Sequence, residues 1–170
     1  KNPRKRWVLK VQEHAHHLPE LLDTYPDALL VQPHRDPVTV MASISRLIEV
    51  IRCVAFDRID RNELGQELLH LWHDGQAAAL SWRQSNPQVQ VLDLAFRDLI
   101  SDPVATVRKV YEHADIAFSE ETEEAVERWW REHPADKHGQ HRYELADYGL
   151  TREQVESVYS DYISAYEAYL

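Results

Sequence analysis

Apolar positions along this chain follow two rhythms. Three short, continuous aliphatic or β-branched runs, at residues 7–11, 28–32 and 89–94, have the length and composition of buried strands. Elsewhere the apolar residues recur every three or four positions. Val40, Ile44, Leu47, Ile48 and Ile51 form one such set, and Leu64, Leu68, Leu71, Trp72, Ala79 and Trp82 a second. Val104, Val107, Val110, Tyr111 and Ala114 form a third, and a fourth helix is predicted over about 120–132. The last helix begins at Thr151, where Gln154 completes a capping box, and runs through Val155, Val158, Tyr159, Tyr162, Ile163 and Tyr166. Asp36-Pro37 and Asp102-Pro103 each set a good N-cap residue before a proline at the first helical position. Strands alternating with helices predict an α/β fold with a mainly parallel sheet flanked by helices. Three strands make a thin sheet of that kind, so the architecture reads as truncated and rich in helix. With no repeat, low-complexity tract or linker, residues 1–170 are expected to form a single domain.

Charge and composition narrow the function. A net charge of −10 argues against non-specific nucleic-acid binding. Lys1, Arg4, Lys5, Arg6 and Lys10 crowd the first ten residues, whereas Glu120, Glu121, Glu123, Glu124 and Glu127 gather on what reads as a solvated helix face. No apolar run approaches the roughly 20 residues of a transmembrane helix, and no secretory segment is present. The single cysteine, Cys53, fits a reducing compartment, and a cytoplasmic location is expected. A strand signal so close to Lys1 suggests that further chain lies upstream.

The junction between the second strand run and the first long helix carries the most chemistry. The strand ends at Arg35, and Asp36-Pro37 opens the helix, which puts a cation beside the positive end of a helix dipole. Ser43 lies seven residues after Asp36, two turns on and on the same face. A guanidinium and a hydroxyl so placed could share one phosphate. The plainer alternative pairs Arg35 with an acid and makes Ser43 a small packing residue.

Residues 34–43 (HRDPVTVMAS) resemble the 3′-phosphate-binding segment of the sulfotransferase family, in which an arginine closes a strand and a serine eight positions later sits on the next helix. Three further segments follow in the family's order. Residues 7–14 (WVLKVQEH) are similar to a strand ending in lysine and then histidine, written K-x-P-x-H in the bacterial branch, with Gln12 here in place of the proline. Residues 89–103 resemble the strand followed by Tyr-x-Asp-Leu and Asp-Pro. Residues 137–151 resemble the bacterial "GKHRY…L.D.GL" tail.

The resemblance implies a P-loop-like sheet and a co-substrate, 3′-phosphoadenosine 5′-phosphosulfate (PAPS), with no metal. It assigns the 3′-phosphate to Arg35 and Ser43, and the general base to His14, with His16 and His17 close by as alternatives. Lys10 would stabilise charge on the transferring group, and Phe96 takes the place of a tyrosine that touches adenosine. Lys137, His141 and Arg142, with His138, correspond to a basic loop over the nucleotide. The family's P-R-S-G-T-T-like loop, which grips the 5′-phosphosulfate, has no counterpart: the four glycines are Gly65, Gly75, Gly139 and Gly149, and none follows a strand run. The chain therefore reads as the C-terminal portion of a sulfotransferase domain, with its activity alone in doubt. The expected acceptor is a small-molecule, lipid or carbohydrate hydroxyl, and residues 51–85, with Phe56, Trp72 and Trp82, could line its site. An oligomer or a further N-terminal segment would complete it. Two other classes remain open: a non-catalytic or partner-dependent nucleotide-binding subunit, and, from the histidines at 14, 16, 17, 138 and 141, a metal-dependent hydrolase.

Overall fold

The computed structural model describes residues 6–134 and 144–170. Two of the three aliphatic runs pair. Strand β1 (Leu30–His34) lies parallel to β2 (Val91–Ala95), with Leu30 opposite Val91 and His34 opposite Ala95. β1 extends two residues beyond the apolar run at 28–32 and takes in Pro33. Proline cannot donate to a ladder, and it is tolerated because the other edge of β1 has no partner among the described residues.

The fold is helix-rich α/β with a parallel sheet, as the alternation of elements predicts, but the run at residues 7–11 does not join the sheet. Trp7 and Val8 are 88% and 91% exposed. A strand exists only through backbone bonds to a neighbour, and no strand pairs with this segment among the described residues. It leads into a 3₁₀ turn at Gln12–His16.

The helices are α1 (Leu18–Thr24), α2 (Pro37–Arg52), α3 (Arg61–Ser85), α4 (Phe96–Ser101), α5 (Pro103–His113), α6 (Glu120–Glu132), α7 (Arg152–Val158) and α8 (Ser160–Tyr166). Their starts follow local chemistry. Asp60 caps α3 by accepting from the Asn62 and Glu63 amides, Asp102 caps α5 from Ala105, and Ser119 caps α6 from Thr122. Thr151 and Gln154 form the reciprocal capping box of α7. The single helix expected from Thr151 onward bends at Tyr159, but the bonds Tyr159 N–Val155 O and Ile163 N–Tyr159 O carry the helical pattern across the bend. Among the described residues no helix is long and apolar enough to cross a membrane.

The core lies where α2 and α3 pack together and are covered by α7, α8 and a 3₁₀ turn at Leu145–Tyr148. Met41, Leu64, Leu68, Tyr148 and Val155 are fully buried there. Tyr159, Tyr162 and Tyr166, spaced three and four residues apart, turn one face of α7 and α8 into this core. Glu49 of α2 is a buried charge inside it. It accepts from Arg61 Nε at 2.7 Å, Arg46 at 2.8 Å and the Tyr148 hydroxyl at 2.8 Å. Burial opposes its ionisation, but these donors outweigh burial and lower its pKa to about 2. Burial together with Glu49 raises Tyr148 to about 12.

Gly65 lets α3 approach this turn. A methyl group there would stand 2.2 Å from the Tyr148 carbonyl oxygen. Alanine normally favours a helix interior over glycine by about 1 kcal/mol. Gly65→Ala is nevertheless expected to destabilise the chain, by about 1–3 kcal/mol of overpacking. Urea unfolding measures the sign, and a stabilised variant would show that the backbone at Tyr148 yields.

Candidate functional site

Strand, turn and helix meet at residues 34–39, and the cap decides what the helix end can bind. Asp36 accepts from the amides of Val38 at 3.1 Å and Thr39 at 3.3 Å, and from the Thr39 hydroxyl at 2.7 Å. Pro37 has no N–H, and the Val40 amide bonds the Asp36 carbonyl. The first amides of α2 are thus already used. An anion at this junction would depend on side chains, not on the helix end.

Arg35 is such a side chain. It is exposed, no ion pair joins it to an acid among the described residues, and its guanidinium carbon stands 4.6 Å from the centre of the Phe96 ring. Two of the residues expected in one site, Arg35 after β1 and Phe96 after β2, are therefore in cation–π contact. The contact holds the guanidinium plane through its face and uses none of its N–H donors. Ser43 lies half-buried on α2, two turns along from the cap.

Behind Arg35 lies a buried polar network. His34 is 0% exposed. Its Nε2 is 2.7 Å from Asp93 Oδ1 and its Nδ1 is 2.8 Å from the Tyr162 hydroxyl. Arg83 binds both Asp93 oxygens at 2.7 Å, and its Nη1 also reaches Gln32 Oε1 at 2.8 Å and Tyr166 Oη at 3.0 Å. Burial disfavours the Asp93 carboxylate, but hydrogen bonds from Arg83 and His34 outweigh it and lower the pKa to about 2. Burial likewise pushes the Tyr162 hydroxyl up.

Lys10 and His14 belong to a different region. Lys10 is exposed in the extended segment, and His14 is half-buried in the Gln12–His16 turn, which packs on α3. Gly75 makes that packing possible, since a methyl group there would come within 2.5 Å of His16 Nε2. His16 and His17, but not His14, line an open groove of about 480 Å³ whose other wall includes Ile51, Leu71 and Trp72. Trp72 was anticipated as an acceptor wall, whereas Phe56 and Trp82 do not line the groove. Pro37 and Ile48, near opposite ends of α2, are about 16 Å apart along its axis at 1.5 Å per residue. The histidine turn packs toward the Ile48 end and Arg35 precedes the Pro37 end. Lys137, His141 and Arg142, with His138, lie outside the described residues. Among the described residues, no group of three or more His, Cys, Asp or Glu side chains is placed to hold a metal ion.

The model of a sulfotransferase family matches residues 1–120. The chain belongs to the sulfotransferase family. No curated protein matches it. Among solved structures, sulfotransferase STF9 from Mycobacterium avium is similar at 27% identity with a TM-score of 0.83, covering 94% of this chain and 41% of that one. Sulfotransferase STF1 from Mycobacterium tuberculosis H37Rv is similar at 32% identity with a TM-score of 0.72, covering 92% and 40%. This sulfotransferase chain spans about two fifths of the length of those proteins. Within it, the resemblance drew attention to Arg35 and Phe96 but passed over His34 and Asp93, whose signal was an alternation of polar residues inside otherwise apolar strands.

The ionisation of Asp93 has a measurable consequence. Its folded pKa of about 2 lies below the roughly 3.9 of an unfolded aspartate. Its stabilisation, about 2 kcal/mol, is present above pH ~4 and is lost as the pH falls through about 2. Urea midpoints measured from pH 5 to pH 2 should decline less steeply in Asp93→Asn than in the unaltered chain. Equal slopes would mean that the carboxylate is not held by Arg83 and His34.

Proposed function

We propose that this chain, as the C-terminal portion of a sulfotransferase domain, binds the 3′-phosphate of PAPS and contributes the base for sulfuryl transfer to an acceptor hydroxyl. The observation that carries this reading is the guanidinium of Arg35, paired with no acid among the described residues and held over the Phe96 ring at the ends of two parallel strands. A phosphate would complete its donors, with Ser43 adding a hydroxyl from α2. Phe96 offers an apolar face to the adenine but no hydroxyl. The basic residues Lys137, His141 and Arg142 would close over the nucleotide from the segment that follows α6.

The chemistry asks for two separated groups. PAPS carries its 3′-phosphate and its sulfuryl group on different sides of the ribose, and α2 spans the distance between Arg35 and the histidine turn. In the transfer step the acceptor oxygen forms a bond to sulfur as the bond from sulfur to the 5′-phosphate oxygen breaks. The acceptor's proton passes to an imidazole, for which His14 is the first candidate and His16 and His17 the neighbours that line the groove. The Lys10 ammonium would offset charge on the bridging oxygen as the bisphosphate leaves. The apolar wall of Ile51, Leu71 and Trp72 suits an acceptor with a hydrophobic body, whether a small molecule, a lipid or a carbohydrate with an apolar face.

A second reading has its own support. β1 is followed by Arg35 and β2 by Phe96, so neither strand leads into a glycine-rich loop for the 5′-phosphosulfate. By this account the chain is a non-catalytic or partner-dependent nucleotide-binding subunit. Both readings keep the phosphate clamp and differ on turnover.

Calorimetry with adenosine 3′,5′-bisphosphate tests the shared claim. Arg35→Ala should weaken binding by about 1.5–3 kcal/mol, the worth of a charge-assisted hydrogen bond. Unchanged affinity in a folded variant would remove Arg35 from the site. In whichever preparation turns over PAPS, His14→Ala should lower kcat by at least roughly a hundredfold. Near-normal turnover would transfer the role to His16 or His17.

A further inference from the structure

His34 and Ala95 stand opposite each other at the ends of β1 and β2, and Arg35 and Phe96 are the next residues outward. The cation–π contact between them therefore depends on both strands ending in register. Five residues of parallel pairing give few backbone bonds to fix that alignment. Side chains add to it. Asp93 Oδ1 accepts from His34 Nε2 and from Arg83 Nη1, each at 2.7 Å, while Oδ2 takes Arg83 Nη2 at 2.7 Å. The imidazole of His34 also stacks on Tyr166 at 4.1 Å between ring centres.

These bonds set the ring's orientation. An ionised Asp93 only accepts, so Nε2 of His34 carries a hydrogen, and in the neutral ring Nδ1 accepts from the Tyr162 hydroxyl. The imidazole is thus held at both nitrogens, by β2 on one side and α8 on the other. Such a network is a poor way to gain stability, because well-packed apolar residues commonly replace a buried ion pair at no loss. Its benefit is geometric: it fixes the end of β1 where Arg35 leaves it.

We propose that His34, Asp93 and Tyr162 are positioning residues for the nucleotide phosphate, holding the end of β1 so that the Arg35 guanidinium stays over Phe96. This rests on the reading of Arg35 as a phosphate ligand. The network touches no ligand itself and acts through Arg35.

Two readouts on Tyr162→Phe and Asp93→Asn separate this role from plain stability. The first is affinity for adenosine 3′,5′-bisphosphate, which should fall roughly tenfold in each variant, the worth of about one hydrogen bond. In an Arg35→Ala background the same changes should cost less than about twofold more, since residues acting through one another are not additive. The second is the upfield NMR displacement of the Arg35 side-chain protons by the Phe96 ring in the ligand-free chain, with Phe96→Leu as the zero. It should shrink in both variants. His34→Gln, whose amide can both donate and accept, should keep more of the displacement than His34→Ala. Folded variants with full affinity, or losses that add to that of Arg35→Ala, would overturn the proposal. Tyr162→Phe removes only a hydroxyl, so it decides the matter if Asp93→Asn does not fold. Should the unaltered chain not bind the bisphosphate, the reading of Arg35 as a phosphate ligand fails. The NMR displacement then still decides the positioning claim: its loss in the variants supports it, and its persistence sinks it.

Discussion

A single half-buried carboxylate, Asp93, joins four elements of this chain. It sits in the middle of β2, takes His34 from β1 and Arg83 from α3, and through these two reaches Tyr162 and Tyr166 of α8. A two-stranded parallel sheet has too few ladder bonds to impose its own register firmly, and parallel sheets are normally wider and covered on both faces. Here charge-assisted hydrogen bonds make up part of that deficit. Removing one partner of such a buried pair typically costs about 3–5 kcal/mol, because the other is left uncompensated. Glu49 plays a similar part among the helices, binding Arg46, Arg61 and the Tyr148 hydroxyl. In both cases a tyrosine of the C-terminal region reaches the network by its hydroxyl, so α8 is tied to the sheet and the Leu145–Tyr148 turn to α2 by polar as well as apolar contacts.

The same geometry sets two regions of the chain apart. The Arg35 end of α2 has its amides filled by Asp36, so an anion there would depend on a guanidinium stiffened by an aromatic ring. The far half of α2 forms one side of an open groove with imidazoles at its rim. One helix thus fixes the spacing between the Arg35 guanidinium at its start and the histidine-rimmed groove at its far half.

Much of this was legible from residue order. The helical spacing located α2, α3, α5 and α6, and capping chemistry marked the starts of α2 at Asp36, α5 at Asp102 and α7 at Thr151, because caps act within one turn. The strands were less legible. Residues 7–11 have the composition of a strand, but pairing is a property of two segments, and composition reports only one. The polar network was hidden for a related reason. Gln32 and His34 on β1 and Asp93 on β2 mark inward-facing polar positions, yet their partner Arg83 lies at the end of a 25-residue helix whose docking no local pattern encodes. The three histidines near position 14 were visible as a cluster. Only the fold separates the two that border the groove from the one that does not.

Gly75 has a consequence that reaches past its helix. It is a small residue in the body of α3, and the imidazole of His16 rests against it closely enough that one added carbon would collide. The clearance between α3 and the histidine turn is therefore set by a hydrogen atom. A side chain at position 75 would have to push that ring aside, because the far edge of the imidazole is the part in contact. A position with no functional group of its own thus shapes where the His16 ring rests at the edge of the groove.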